Sequence, residues 1–173
     1  MSSAAEFSSL QQAKAYDLRT LGDIYDRYSP VVYRCVYRVL NDMSLAEECV
    51  AEVFSQLLHA LGSKGGHVRE VDIFLMRAAM AWVDARLHNP MQDAHPESDS
   101  LDASVALSKI EPEDVRQALR RLPAEGRTVL LLKFLESWDD QQIAGVIEIP
   151  ANTLHDRYKQ ALEDLRRTLK LAR

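Results

Sequence analysis

An all-α fold of two small helical domains joined by an acidic flexible linker follows from three observations. Apolar residues recur at three- and four-residue spacing in both halves of the chain. No alternating run bounded by hairpin turns appears. One acidic, proline-containing segment separates the halves, which puts the domains at residues 1–88 and 115–173 and the linker at 89–114. That linker carries Pro90, Pro96 and Pro112, and its single base, Lys109, faces Asp93, Glu97, Asp99, Asp102, Glu111, Glu113 and Asp114. Structureless loops of this length are uncommon inside one domain, which favours a linker over a surface loop.

Each helix has its own signal. From Leu18 to Leu40 the apolar phase runs through Leu21, Ile24, Tyr25, Tyr28, Val32, Tyr33, Val36, Tyr37 and Leu40. Pro30 within it suits the first turn of a second helix, with Ser29 as its N-cap. Ser44 and Glu47 have capping-box spacing and open a helix to about Leu61, whose apolar face is Leu45, Cys49, Val53, Phe54, Leu57 and Leu61. Gly62, Gly65 and Gly66 end it, and a further helix covers about Asp72–His88. Past the linker, helices are expected at Glu113–Leu122, stopped by Pro123, at Glu125–Leu135, at Asp140–Ile147 and from Asn152 to about Leu171.

Composition narrows the function. The 173 residues hold 21 Lys+Arg and 26 Asp+Glu, a net charge of −5, with 47% hydrophobic and 27% charged residues. These are the proportions of a soluble globular protein, too short for a large multi-domain enzyme. No apolar run approaches the roughly 18–20 residues of a membrane span, so no membrane insertion is expected. The start, MSSAAEFSSLQQAKAYDL, lacks a basic stretch followed by an apolar one, and a cytoplasmic location is expected. Cys35 and Cys49 sit in separate apolar segments without metal-ligand spacing and are expected as buried reduced thiols. The histidines are scattered, and no nucleophile, catalytic dyad or metal cluster is apparent, so neither enzyme activity, nor a metal, nor a cofactor is expected.

The charge is segregated: the linker is acidic, whereas Arg157, Lys159, Arg166, Arg167, Lys170 and Arg173 make the C-terminus basic. The stretch Asp140–Leu165 has helix-turn-helix proportions. A short helix carries Ile143-Ala144, a tight connection follows at Glu148-Ile149-Pro150, and a longer basic helix comes next. Ala144 permits a close crossing, Val146, Ile149, Leu154 and Tyr158 would pack inward, and Asn152 can cap the second helix. Thr153 lies where helix N-terminal amides can hold a phosphate.

The segment LRRLPAEGRTVLLLKFLESWDDQQIAGVIEIPANTLHDRYKQALEDLRR resembles the promoter-reading C-terminal domain of bacterial extracytoplasmic-function sigma factors. LGDIYDRYSPVVYRCVYRVLNDMSLAEECVAEVFSQLL is similar to their first domain, and the two occur in family order over roughly residues 18–170. The resemblance implies core RNA polymerase and promoter DNA as partners, with an anti-sigma factor as a further candidate. The first domain would open the −10 element and the second would read the −35 element.

For the −35 element the resemblance implies Asn152, Thr153, His155, Asp156, Arg157, Lys159 and Gln160, with Thr153 and Arg157 nearer the DNA backbone. A single-stranded −10 element needs cations for phosphates and flat faces for unstacked bases. Lys64, His67 and Arg69 on the Gly-rich loop, with Arg77, Met80, Trp82 and Arg86 on the next helix, are the candidates; Trp82 could equally belong to the core. Glu47, Glu48 and Glu52 form an acidic patch expected to meet the polymerase. Several positions depart from the family pattern. Met80 or Ala81 stands at the usual Asn, Glu148 at the usual turn Gly, and Asp156 and Gln160 within the recognition helix. These departures keep two alternatives open: a sigma-like decoy that binds a regulator such as an anti-sigma factor, and an ordinary helix-turn-helix regulator.

Overall fold

The computed structural model describes residues 18–62, 68, 70–88 and 112–171. In chain order the helices are α1 (Leu18–Leu40), α2 (Met43–Gly62), α3 (Val71–His88), α4 (Pro112–Arg121), α5 (Ala124–Phe134), α6 (Asp140–Ile147) and α7 (Leu154–Leu171). A single 3-10 turn, Ala151–Thr153, leads into α7. All regular structure among the described residues is helical, as the apolar periodicity requires.

Three local expectations are corrected. Residues 18–40 form one helix with Pro30 inside it, not two. An interior proline costs a helix about 3 kcal/mol, but the buried face continues in phase beyond it through Val32, Cys35, Val36 and Val39. Packing therefore outweighs local propensity. The cap of α2 is Asp42 rather than Ser44: its Oδ1 accepts the Leu45 amide at 2.9 Å, and Ser44 falls in the first turn. Pro112, Glu113 and Asp114, assigned to the linker, open α4, where acidic side chains favour a helix N-terminus. The rest of that linker lies outside the described residues.

Helices α1, α2 and α3 pack on one another around Val36, Val39, Cys49, Val53, Leu57, Leu75, Met76 and Val83, all fully buried or nearly so. In the C-terminal half, α5 packs on α6 and α7 around Val129, Leu131, Leu132, Ile143 and Leu154. The halves also meet. Helix α3 lies against α5 and α6, α4 lies against α1, and the buried side chains form one continuous cluster.

Polar contacts fasten that junction. Arg127, 3% exposed, donates to Asp84 Oδ1 at 2.7 Å and to the carbonyls of Arg120 and Leu122 at 3.3 Å. Burial lowers its guanidinium pKa, and the Asp84 carboxylate opposes that shift. Arg120 reaches from α4 to the last turn of α1, donating to Val39 O at 2.7 Å and Leu40 O at 2.5 Å. Those carbonyls have no partner within their own helix, so Arg120 completes its C-terminal end. Glu136, in the loop after α5, has a buried carboxylate held by both arms of Arg34 at 3.0 and 2.7 Å.

Cys35 and Cys49 are both buried free thiols, as expected. Burial pushes each thiol pKa up to about 12. Since the thiolate is the nucleophile, native protein at pH 8 is expected to leave both unmodified by a disulfide-exchange reagent. Unfolding in guanidinium should release two reactive thiols, counted by absorbance. Asp84→Ala is expected to destabilise the fold by about 2–3 kcal/mol in urea titration, because it strands the Arg127 charge in the core. Asp84→Leu combined with Arg127→Met should recover most of that loss, since no buried charge remains.

Candidate nucleic-acid interface

The helix-turn-helix is built from well-defined local signals. Asp139 precedes α6 and closes a reciprocal capping box: its side chain accepts the Gln142 amide at 2.8 Å, and Gln142 Oε1 accepts the Asp139 amide at 3.3 Å. The helix ends at Glu148, whose backbone is left-handed at φ 59° and ψ 40°. Glycine adopts that conformation without strain, whereas a side chain costs about 1 kcal/mol or more. The Ile149 amide then bonds to Ala144 O at 3.1 Å, and Pro150 directs the chain into the 3-10 turn.

Ile143, Ala144, Val146, Leu154 and Ala161 pack inward, with Ile149 and Tyr158 half-buried beside them. Gly126 on α5 allows a close approach to α7: a Cβ there would sit 3.3 Å from Ala161 Cβ. The outward face of the turn and of the first turns of α7 presents Asn152, His155, Asp156, Lys159 and Gln160, all exposed. Asn152, expected to cap the recognition helix, is instead the middle residue of the 3-10 turn. Thr153 Oγ1 donates to Pro150 O at 2.7 Å, fixing that turn. Arg157 is exposed and lies 3.9 Å from Glu125 across the α5–α7 junction. These seven positions thus form one continuous surface.

The candidates on α3 do not form one patch. Helical geometry sets Arg77 and Arg86 on opposite sides, because nine residues turn the helix about two and a half times. Arg77 faces α6, where it donates to Gly145 O at 2.5 Å and pairs with Glu148 at 2.8 Å. Arg86 faces α2, where it pairs with Glu48 and lies 4.3 Å from the ring centroid of Trp82. Trp82 is half-buried against the core with that guanidinium over its ring. Met80 is 7% exposed and packs within the core, so it offers no surface in this arrangement. Lys64, His67 and Arg69 lie outside the described residues.

Glu47, Glu48 and Glu52 are exposed on α2. Glu52 accepts from Gln56 at 2.9 Å, and Glu48 holds Arg86. Glu47 borders a cavity of about 260 Å³ with Tyr25, Ser29, Pro30, Tyr33 and Val50. Desolvation, and then the Glu47 charge, raise the Tyr33 phenol above its ordinary pKa. Sequence spacing could not link Glu48 to Arg86, since the pair is 38 positions apart. The polar contacts between the halves were missed for the same reason. One available signal was Arg127 itself, a charge opening the apolar run Val129–Leu132.

Among the described residues, no group of His, Cys, Asp and Glu could hold a metal ion, and no helix is long and apolar enough to cross a membrane. The family model described as Sigma-70, region 4 matches residues 113–165, which contain α5, α6 and most of α7. The chain is 24% identical to the ECF RNA polymerase sigma factor SigW of Bacillus subtilis, an alignment covering 93% of this chain and 95% of SigW. It is 26% identical to the RNA polymerase sigma factor CarQ of Myxococcus xanthus over 85% of this chain and 87% of that protein.

In fold it is similar to CnrH, solved in complex with the cytosolic domain of CnrY, with a TM-score of 0.66 and 16% identity over 96% of this chain and 98% of CnrH. It is also similar to the sigma factor RpoE of Bartonella quintana, solved with the anti-sigma factor NepR, with a TM-score of 0.54 and 14% identity over 84% of this chain and 93% of RpoE. The region 4 model covers the helix-turn-helix half, and the relatives align with nearly the whole chain, so the chain is similar over its length to the extracytoplasmic-function sigma factors of bacterial RNA polymerase.

Proposed function

We propose that the chain directs core RNA polymerase to its own set of promoters, with residues 18–88 docking on the enzyme and melting the −10 element and residues 115–171 reading the −35 element. The observation that carries this is the continuous exposed surface from Asn152 to Gln160 on a helix-turn-helix whose inner face is fully packed. A helix in the major groove reads base edges through side chains near its N-terminus. Asn152, His155, Lys159 and Gln160 supply donors and acceptors for that reading, and Asp156 can accept from the exocyclic amine of cytosine. Thr153 and Arg157 are suited to phosphates beside the groove. Such a factor works where the polymerase is, in the cytoplasm, and needs no catalytic group of its own.

On α2, Glu47 and Glu52 are exposed for basic groups of the polymerase. Glu48 contributes as well, exchanging its bond to Arg86 for one across the interface. On α3, Trp82 offers a ring for an unstacked base, with Arg86 beside it.

Reconstituted transcription tests the function. Purified chain with core polymerase from its own organism is expected to give promoter-dependent transcripts. Replacing Glu47, Glu48 and Glu52 together with Gln should weaken polymerase binding at least tenfold while the helical circular dichroism is kept. A chain that binds a small regulator but never core polymerase would instead be the decoy. In a promoter library, Gln160→Arg is expected to shift −35 base preference at one position, and Arg157→Ala to weaken all promoters alike. An unchanged −35 preference after alanine replacement of His155, Lys159 and Gln160 together would refute the assignment of that surface.

A further inference from the structure

Helix α1 carries the dipeptide Tyr-Arg twice, at Tyr33-Arg34 and again at Tyr37-Arg38. A spacing of four is close to one helical turn, so the repeat sets two rings and two guanidinium groups along one side of the helix. The Tyr33 and Tyr37 rings lie 6.0 Å apart between centroids and 9° from parallel, which makes them a flat, stepped ledge. Beside it is a cavity of about 300 Å³, walled by Tyr33, Arg34, Tyr37 and Arg38 on one side and by Leu135 and Glu136 on the other. Backbone bonds fix the second wall: the Leu135 amide donates to Leu131 O at 2.9 Å, and the Trp138 amide to Leu132 O at 3.1 Å.

The two arginines have different duties. Arg34 commits both arms to Glu136, whose side chain is 6% exposed, so these two charges cancel within the wall. Arg38 is exposed and makes no ion pair or side-chain hydrogen bond among the described residues. A cation in the last turn of a helix ordinarily serves the terminal carbonyls. Here Arg120 already donates to Val39 O and Leu40 O, and the Asn41 amide donates to Tyr37 O at 2.8 Å. Among the described residues of the cavity, Arg38 is thus the uncompensated charge, and it lies next to two parallel rings.

We propose that this cavity binds a nucleotide, with the base stacked on the Tyr33–Tyr37 ledge and the phosphate on Arg38. Flat rings beside a cation are what hold an unstacked base and its phosphate. A guanidinium meets phosphate oxygens through paired N–H donors. Glu136 accepts one bond from Arg34 at each oxygen, which leaves further lone pairs for N–H groups on the edge of a base. Guanine offers two such donors side by side, which makes guanosine monophosphate the probe of choice. The volume is at the small end for ligand pockets and suits one nucleotide unit. That unit is either a free nucleotide or one residue of a single strand, since the recognition chemistry is the same. None of the six residues belongs to α3 or to the surface from Asn152 to Gln160, so the site is separate from both promoter contacts proposed above.

The test titrates the full chain with guanosine monophosphate, without polymerase or promoter, and reads nuclear magnetic resonance shifts. Saturable shifts are expected at the Tyr33 and Tyr37 rings, the Arg38 guanidinium and the Leu135 methyls. Guanosine, which lacks the phosphate, and ribose phosphate, which lacks the base, should each bind about tenfold more weakly. Arg38→Ala and Tyr37→Leu should each weaken nucleotide binding by about the same factor. Arg38 is exposed on the helix surface, so its replacement tests the site without touching the core. Arg166→Ala removes an equally exposed cation from α7 and should leave binding unchanged. A short single-stranded DNA of mixed sequence separates the two sources. Binding tighter than that of the mononucleotide identifies a single strand, binding no tighter identifies a free nucleotide, and either supports the pocket.

Absence of shifts at these residues with nucleotide in the millimolar range overturns the site. So does an Arg38→Ala chain that binds as tightly as the native one. Shifts centred on the α7 cations also overturn it, because they mark a general attraction of phosphate to positive charge. Core polymerase and promoter take no part in the measurement, so the transcription function stands or falls on its own test.

Discussion

The ion pair between Arg127 and Asp84 is the constraint on which the arrangement of the two halves depends. A guanidinium buried to 3% exposure is tolerable only where its donors are met. Arg127 meets two carbonyls of its own half and one carboxylate of the other. Without Asp84 the C-terminal half would hold a charge facing an apolar surface. The pair acts less as a source of net stability than as a registration device, because an apolar pair of similar size would be no worse energetically. It decides which face of α3 meets α5.

Around that fixed point the remaining contacts grade from buried to exposed. Glu136 is buried under Arg34, and Arg120 satisfies the end of α1 from within a half-buried site. Arg77 and Glu148 lie at the wet edge of the same junction. Salt and water therefore compete most for that outer pair and least for Arg127.

Much of this could be read from the sequence, and the exceptions share a cause. The all-α class and the bounds of α6 were legible because the apolar period is a local signal, and the Asp139–Gln142 capping box found in the structure agrees with it. The exposed run Asn152–Gln160 was legible for the same reason: each inward residue, such as Leu154, fixes its neighbours outward. Pro30 misled because its local cost is overridden by Val32 and Val36 packing in phase with the first turns of α1. Ser44 misled because Asp42, two residues earlier, is an equally good cap and meets the amide first. The contacts between the halves could not be read at all. Arg120 and Val39 are 81 positions apart, and nothing local marks an arginine as the cap of a distant helix.

The α3 cations show how the fold changes the meaning of a residue list. As letters, Arg77, Trp82 and Arg86 read as two cations and a flat ring suited to single-stranded DNA. In the structure the two arginines point to opposite sides of the helix, and each already holds a carboxylate, Glu148 on one side and Glu48 on the other. Any phosphate must displace an intramolecular partner, so the free chain presents less positive potential than its sequence suggests. Under the proposed function, that cost falls on DNA binding by the free chain, and it is relieved when Glu48 engages a basic surface elsewhere. The two glutamates that quiet the arginines in isolation would then make DNA engagement depend on a partner, a coupling that arises from charge pairing alone.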